Sequence, residues 1–499
     1  MSNVKRNIIT SLVCQIITIL NGLIVPRLIL GAFGSEVNGL VASIGQFLNY
    51  ITLLEGGLSS VIMAALYKPL ADKDTKRVSA IVSATNQFFH RIAVIFIGYM
   101  IIVAIVYPFC VRSSFGWGYI SLLVVIIGLA LFIQYFFSLS LRLLINADQR
   151  GYIVYTAQII FTLINFIFTL IVINIYPEIH VLKIVNVIAY CIQPIVFAAY
   201  VNKNYKLDKN MPPDKDAISQ RWDGFGQNLA FFIHTNTDVV VLTIFCTLLD
   251  VSVYSVYFMV IGSLKNLVMS ISSAVIPSIG NTLAGGDITK TNEAFDTYET
   301  GINLITTFAF ACGIILIVPF VNIYTAGIND ANYIQPVFGI LLMIAEAIYC
   351  YRDPYVSIAY ASGKFKETAK YAYIEAVSNI VISVLLVIRL GLLGVAVGTF
   401  VSMCYRLMMH VIYVKKNILH RPISKFAASF ARSAIILVIC VVLAFYVIRV
   451  MPSSYIGWII MAVAVAGIVA LMILLTQLVF NHKQFTALFR LIFKRNNKR

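Results

Sequence analysis

Charge is scarce in this chain. Asp, Glu, Lys and Arg make up only 12% of its 499 residues, roughly half the share of a soluble domain. Hydrophobic residues reach 60%, and the mean hydropathy is +0.90. No water-surrounded core can absorb that excess, so lipid must be the solvent. A soluble enzyme, a nucleic-acid-binding module and a disordered chain are excluded. Acidic residues are the scarcer sign, 21 against 37 Lys and Arg, which leaves a net charge of +16.

Several motifs are missing as well. No GxxxxGK[ST] loop occurs, so the chain has no NTPase of its own. The cysteines (Cys14, Cys110, Cys191, Cys246, Cys312, Cys350, Cys404 and Cys440) stand singly, with no CxxC and no Cys/His pairing. Neither a metal, a cofactor nor a disulfide framework is expected, and each Cys reads as a small apolar residue. Residues 8–30 are too long for a signal-peptide core and lack a small-residue cleavage site. The outer loops are too short to carry the acid or base of a membrane glycosyltransferase or polymerase, so no enzyme is expected.

What the sequence does contain is a succession of apolar runs of about 20 residues. They predict an all-α polytopic membrane protein with about fourteen transmembrane helices. These lie near 8–30, 37–66, 84–107, 117–141, 152–175, 181–201, 224–247, 252–276, 298–320, 334–358, 370–389, 392–414, 427–448 and 456–480. Loops on one side hold 28 of the 37 Lys and Arg residues and those opposite hold 5, while Arg91, Lys265, Arg352 and Arg406 fall inside helices. The positive-inside rule then places both termini in the cytoplasm of a plasma-membrane protein. Tyr107, Trp117, Tyr119, Tyr176, Tyr455 and Trp458 fall at outer helix ends, as an aromatic belt requires. The basic tail, 481–499, reads as an amphipathic segment on anionic lipid. Most of the net charge is orientation.

Two halves of the chain resemble each other at an offset of about 214 residues. Ala147-Asp148-Gln149-Arg150-Gly151 leads into a helix bearing Asn165, and Ala361-Ser362-Gly363-Lys364-Phe365 leads into one bearing Asn379. Gly34-Ser35-Glu36-Val37-Asn38-Gly39 likewise matches Leu249-Asp250-Val251-Ser252-Val253-Tyr254. The predicted organisation is a six-helix lobe over 1–201, a cytoplasmic linker over 202–223 and a second six-helix lobe over 224–417. Two further helices over 418–480 and the tail follow. Six helices per copy make the repeats parallel, related by an axis along the membrane normal.

Three segments carry a family resemblance. Pro26-Arg27-Leu28-Ile29-Leu30-Gly31 with Val37-Asn38-Gly39-Leu40 resembles the helix 1–2 signature of bacterial polysaccharide-unit flippases. Thr237-Asp238-Val239-Val240-Val241-Leu242 with Val253-Tyr254-Ser255 resembles their helix 7–8 signature, and Leu390-Gly391-Leu392-Leu393-Gly394 to Thr399 their helix 11–12 turn. These flippases belong to the multidrug/oligosaccharidyl-lipid/polysaccharide superfamily. The resemblance implies two lobes that open alternately to each face and carry an undecaprenyl-diphosphate-linked oligosaccharide across the bacterial plasma membrane for surface polysaccharide synthesis. It also implies membrane lipids and a polysaccharide polymerase machinery as partners. In the lipid II flippase branch two extra helices form a groove for the lipid tail.

An ionisable residue at the bilayer centre costs about 2.5–3.5 kcal/mol on insertion scales, so it faces a cavity or a partner. Arg27, Lys265, Arg91 and Arg352 are the candidates for holding a diphosphate. Arg91 and Arg406 lie near enough to an interface to snorkel instead. Asp238 with His234 one turn before it, Glu55 and Glu375 are candidates for cation coupling, or else hydrogen-bonded pairs that fix helices. Glu346, Tyr349 and Asp353 share a face of one helix beside Arg352, and read as a snorkelled ion-pair cluster at the cytoplasmic interface. Asn21, Asn49 and Asn379 suit either sugar hydroxyls or interhelical hydrogen bonds. The leading reading is a secondary, alternating-access flippase. The alternative is a proton- or sodium-coupled multidrug exporter, for which Asp238, Glu55 and Glu375 would supply an acidic cavity.

Overall fold

The computed structural model describes residues 3–55, 58–208, 211–214 and 225–480. Among these every regular element is helical, as the apolar periodicity requires. The chain divides into two units, the first ending at Ser252 and the second beginning at Val253.

The first unit contains α1 (Asn3–Asn49), α2 (Leu58–Ala71), α3 (Thr75–Cys110), α4 (Trp117–Ile133), α5 (Leu139–Ala147) and α6 (Gly151–Ile175). It continues through α7 (Ile179–Tyr190), α8 (Ile192–Asn204) and α9 (Phe225–Phe245) to the start of α10 (Leu248–Ala284). The second unit holds the rest of α10, then α11 (Ile288–Tyr324), α12 (Pro336–Ala361), α13 (Phe365–Leu390), α14 (Leu392–Val414), α15 (Ile423–Val447) and α16 (Tyr455–Phe480).

Eleven of these runs are long and apolar enough to cross a membrane. Three features reconcile that number with about fourteen crossings. The first run is broken at Gly34, whose φ of 82° favours glycine and ends one crossing where the next begins. Among the described residues α9 contributes a shorter apolar stretch, Asn236–Phe245. α12 carries Glu346, Arg352 and Asp353, too many charges for a lipid-facing helix, yet almost its whole length is buried. Its solvent is protein.

Three helices depart from the sequence expectation. The run over 37–66 is interrupted by a 3-10 turn, Tyr50–Leu54, before α2 resumes at Leu58. Gly56 and Gly57 lie outside the described residues. The run over 117–141 passes through a π turn, Gln134–Ser138, and continues to Ala147. Residues one turn apart on α3 brace that turn. His90 Nε2 donates to the Phe136 carbonyl at 3.0 Å, and its ring stacks on Phe136 at 4.1 Å. Asn86 accepts from Ser140. The run over 181–201 splits at Cys191, because Pro194 has no N–H for the Tyr190 carbonyl and its ring crowds that oxygen.

Between helices in lipid there is little hydrophobic driving force, so association relies on close packing and polar contacts. The hairpin of α13 and α14 turns at Gly391, with φ 54°. Its helices pack so tightly that a Cβ on Gly394 would come within 2.5 Å of Leu386 backbone, and one on Gly398 within 2.9 Å of the Ser383 amide. Gly398→Ala is therefore expected to prise the pair apart at a cost of about 1–3 kcal/mol. A thermal melt of the detergent-purified variant should fall by several degrees. An unchanged midpoint would mean that the hairpin opens without penalty.

Candidate functional site

The second unit is built around a polar seam. On α13, Glu375, Asn379 and Ser383 recur every fourth residue and are wholly buried. On α14, Thr399, Ser402, Arg406 and His410 make the facing stripe. Asn379 Nδ2 donates to Thr399 Oγ1 at 3.1 Å, and Arg406 donates to one oxygen of Glu375. The other Glu375 oxygen accepts from Arg352 Nη1 on α12 at 3.1 Å. One carboxylate thus bridges two guanidiniums.

The chain of contacts continues along α12. The Tyr349 ring lies 4.3 Å from the Arg352 guanidinium and 5.0 Å from Lys265 Nζ, so it links the cations of α12 and α10. Lys265 Nζ in turn pairs with Glu346 Oε2 at 3.0 Å, with the Phe258 ring at 5.2 Å. Asp353, one turn beyond Tyr349, accepts from Ser272 and from Tyr298, the latter at 3.3 Å. The network formally balances Lys265, Arg352 and Arg406 against Glu346, Asp353 and Glu375. Balance is what makes it tolerable: a buried charge needs a partner and satisfied hydrogen bonds. Arg352 and Arg406 each keep an Nε–H without an acceptor among the described residues.

These positions correct part of the sequence reading. Glu346, Arg352 and Asp353 do not snorkel at an interface; they are 2%, 3% and 8% exposed. Arg406 does not snorkel either, being held inside by Glu375. Arg91, in contrast, is exposed on α3. The spacing of Arg406, His410, Ser402 and Thr399 on one face was the available sign that Arg406 turns inward.

A second cluster went unread in the sequence because its cations looked like loop charge. Arg421, between α14 and α15, donates to Asp296, to Glu299 Oε2 at 2.5 Å and to the Tyr355 hydroxyl at 2.8 Å. Burial lowers the affinity of this guanidinium for its proton, but the Glu299 carboxylate beside it outweighs that and raises the pKa. Lys425 Nζ meets the other Asp296 oxygen at 2.8 Å. Asn303 with Ser429, and Thr307 with Ser433, extend the attachment of α15 to α11. On α16, Trp458 Nε1 donates to the Leu316 carbonyl at 3.3 Å.

The remaining candidates lie in the first unit. Arg27 is half-buried on α1, its guanidinium beside Gly31. Asn38 donates to Ser252 at 2.8 Å, a pair separated by 214 residues in the chain. Ser43 bonds both Thr243 of α9 at 2.6 Å and the Tyr107 hydroxyl at 2.8 Å. Asp238 is buried on α9, 4% exposed, next to buried Asn236 and Thr237; the side chain of His234 lies outside the described residues. Glu55 sits in the break before α2, accepting from Ser59 at 2.8 Å and hydrogen-bonding Tyr135 in the π turn. Asn49 lies at the end of α1, its carbonyl accepting from Thr52 at 2.7 Å. The Asn21 Oδ1 has no hydrogen-bond partner among the described residues. No group of His, Cys, Asp and Glu among the described residues has a metal-binding arrangement.

The fold recurs in solved transporters. A structure of the lipid II flippase MurJ in an inward closed conformation superposes with a TM-score of 0.69 at 15% identity, over 95% of this chain and 99% of the other. An inward-facing multidrug resistance MATE transporter of the MOP superfamily gives 0.61 at 13% identity, over 83% and 98%. A MOP superfamily transporter from Pyrococcus furiosus, described as having a binding pocket of reverse polarity, gives 0.56 at 12% identity, over 84% and 96%. No curated protein sequence matches. At these identities the structures speak for the fold alone. The sequence itself is matched along residues 40–466 by the family model described as lipid II flippase MurJ. With a match over that much of its length, the chain belongs to the lipid II flippase MurJ family.

Proposed function

We propose that this protein is a secondary transporter that moves a polyprenyl-diphosphate-linked saccharide from the cytoplasmic to the outer leaflet of the bacterial plasma membrane. The observation that carries this reading is the family match over residues 40–466. Lipid II is the leading substrate on that ground. A surface-polysaccharide unit, which the three motifs favour, shares its diphosphate and prenyl tail and differs in the sugars. In that case a polysaccharide polymerase would take up the product. Without an NTPase motif, direction comes from an ion gradient, the membrane potential or consumption of the product.

In this reading Arg27 and Lys265 hold the diphosphate, with Arg91 and Arg352 as secondary cations. Asp238, His234, Glu55, Glu375, Asn21, Asn49 and Asn379 supply coupling or polar contacts. The prenyl tail stays in lipid, against α15 and α16. Lys265 is neutralised by Glu346 and Arg352 by Glu375, so the diphosphate must displace a carboxylate to engage either cation. This exchange makes binding selective, since an anion that cannot replace the carboxylate leaves a buried charge alone. It also weighs against multidrug export, because Glu346 and Glu375 already hold cations and offer little to a cationic drug.

In cells that depend on this protein, Arg27→Ala should cause the lipid-linked precursor to accumulate on the cytoplasmic leaflet. Mass spectrometry of that lipid distinguishes a muropeptide from an oligosaccharide. Normal precursor levels when the whole protein is depleted would refute the transport reading. Normal levels in Arg27→Ala alone would remove only that residue.

A further inference from the structure

Away from the buried network, the first unit contains a cavity of about 400 Å³ between three surface segments. Lys73 and Thr75 come from the turn between α2 and α3, Asp148 and Arg150 from that between α5 and α6, and Tyr205 and Lys206 from the chain leaving α8. By the distribution of positive charge all three face the cytoplasm.

The walls are held by specific bonds. Asp148 Oδ2 accepts from the Tyr205 hydroxyl at 2.5 Å and pairs with Arg150 Nε at 2.8 Å. Arg150 Nη1 donates to the Tyr200 hydroxyl at 2.7 Å. The Asp208 amide donates to Ser79 Oγ at 3.1 Å, and the Asp214 amide to the Ala80 carbonyl at 3.1 Å, which lays the start of the connector along α3. The carboxylate in the lining is therefore committed to the wall, while three cations border the same space.

The turns add a separate observation. Lys73 and Gln149 both adopt φ 56°, a left-handed conformation in which a Cβ is strained and glycine is favoured after a helix. In the second unit the equivalent turns, before α11 and before α13, use Gly286 at φ 74° and Gly363 at φ 70°. Gln149 and Gly363 are separated by the 214 residues of the repeat. The turn geometry calls for glycine, yet the first unit keeps a lysine there, on the rim of the cavity. A lysine held at such a cost points to a task for its side chain.

We propose that this cavity binds a phosphate-bearing ligand through Lys73, Arg150 and Lys206. Three cations around one committed carboxylate suit a group with two negative charges, and charge-assisted hydrogen bonds from ammonium and guanidinium are the strong ones. The volume accommodates a phosphate with a glycerol or a single sugar. Two sources share this chemistry: the headgroup of an anionic lipid and a soluble phosphorylated compound. Either would clamp the chain leaving α8 against the turns before α3 and α6.

The test uses the full-length protein with inorganic pyrophosphate as the soluble probe, by calorimetry. Nanodiscs of phosphatidylglycerol against phosphatidylcholine provide the lipid probe, read by native mass spectrometry. Lys73→Gly removes the cation while supplying the residue that the backbone favours, so its melting midpoint should hold or rise. Lys73→Gly and Lys206→Gln should each weaken retention of at least one probe about tenfold. The exposed pair-forming residue Lys290 serves as a control, and Lys290→Gln should change nothing. Loss of pyrophosphate binding identifies a soluble ligand, and loss of phosphatidylglycerol retention a lipid. Equal behaviour of wild type and both variants with both probes would overturn the proposal, as would an equal loss in Lys290→Gln.

Discussion

Glu375→Ala is expected to be among the most damaging single substitutions in the molecule. It strips the shared partner from Arg352 and Arg406, which are 3% and 6% exposed. Removing one side of a buried ion pair costs about 3–5 kcal/mol, because the orphaned charge cannot return to water. Here two guanidiniums would be orphaned together, against a total stability that for a typical domain is only about 5–15 kcal/mol. Most of the folded protein in membrane extracts should be lost on fluorescence-detected size exclusion. Glu375→Gln keeps an acceptor and should fall between. The triple variant Arg352→Met, Glu375→Leu, Arg406→Met removes the charges of this trio together, leaves Asp353 to its Ser272 and Tyr298 donors, and should recover part of the folded yield. A wild-type yield from Glu375→Ala would mean that the pairing contributes nothing.

The second large effect separates stability from transport. Lys265→Met leaves Glu346 buried without its cation, and Glu346→Leu leaves Lys265 buried without its anion. Each single variant should lose folded protein and transport together, which by itself says little. The double variant Lys265→Met, Glu346→Leu should regain the fold, since neither charge remains. Transport in that folded double variant should stay at least about tenfold below wild type, the loss of one charge-assisted bond to a phosphate. A double variant that transports normally would confine Lys265 to a structural part.

Much of the fold was legible from local pattern alone. Apolar runs of helix length announce themselves without reference to the rest of the chain, and Gly391 and the break near Gly34 fall where the runs were divided. The interruptions at Tyr50–Leu54, at the π turn and at Cys191 were not legible in the same way. Each is a detail of hydrogen bonding inside an unbroken apolar run, and hydropathy does not register it. The candidate residues were recognisable as charges out of place. Their surroundings were not. Arg406 read as a snorkelling side chain because its distance from a helix end was all the sequence offered, whereas its direction depends on the face that α14 turns to α13.

The sequence by itself determined that lipid is the solvent and that the helices number about fourteen. It also determined that a handful of ions must sit within them. Those conclusions rest on composition and on periodicity within single segments, where the physics is local. The tertiary structure alone decided the pairings: Lys265 with Glu346, Arg352 and Arg406 with Glu375, and Lys73, Arg150 and Lys206 around one cavity. Arg352 and Glu375 are 23 residues apart, and Arg406 and Glu375 are 31. Such partners meet only through the packing angle and rotation of whole helices. In a medium that excludes water an unpaired charge is costly and a paired one strongly held, so the meaning of each charge was settled by which helix faces which.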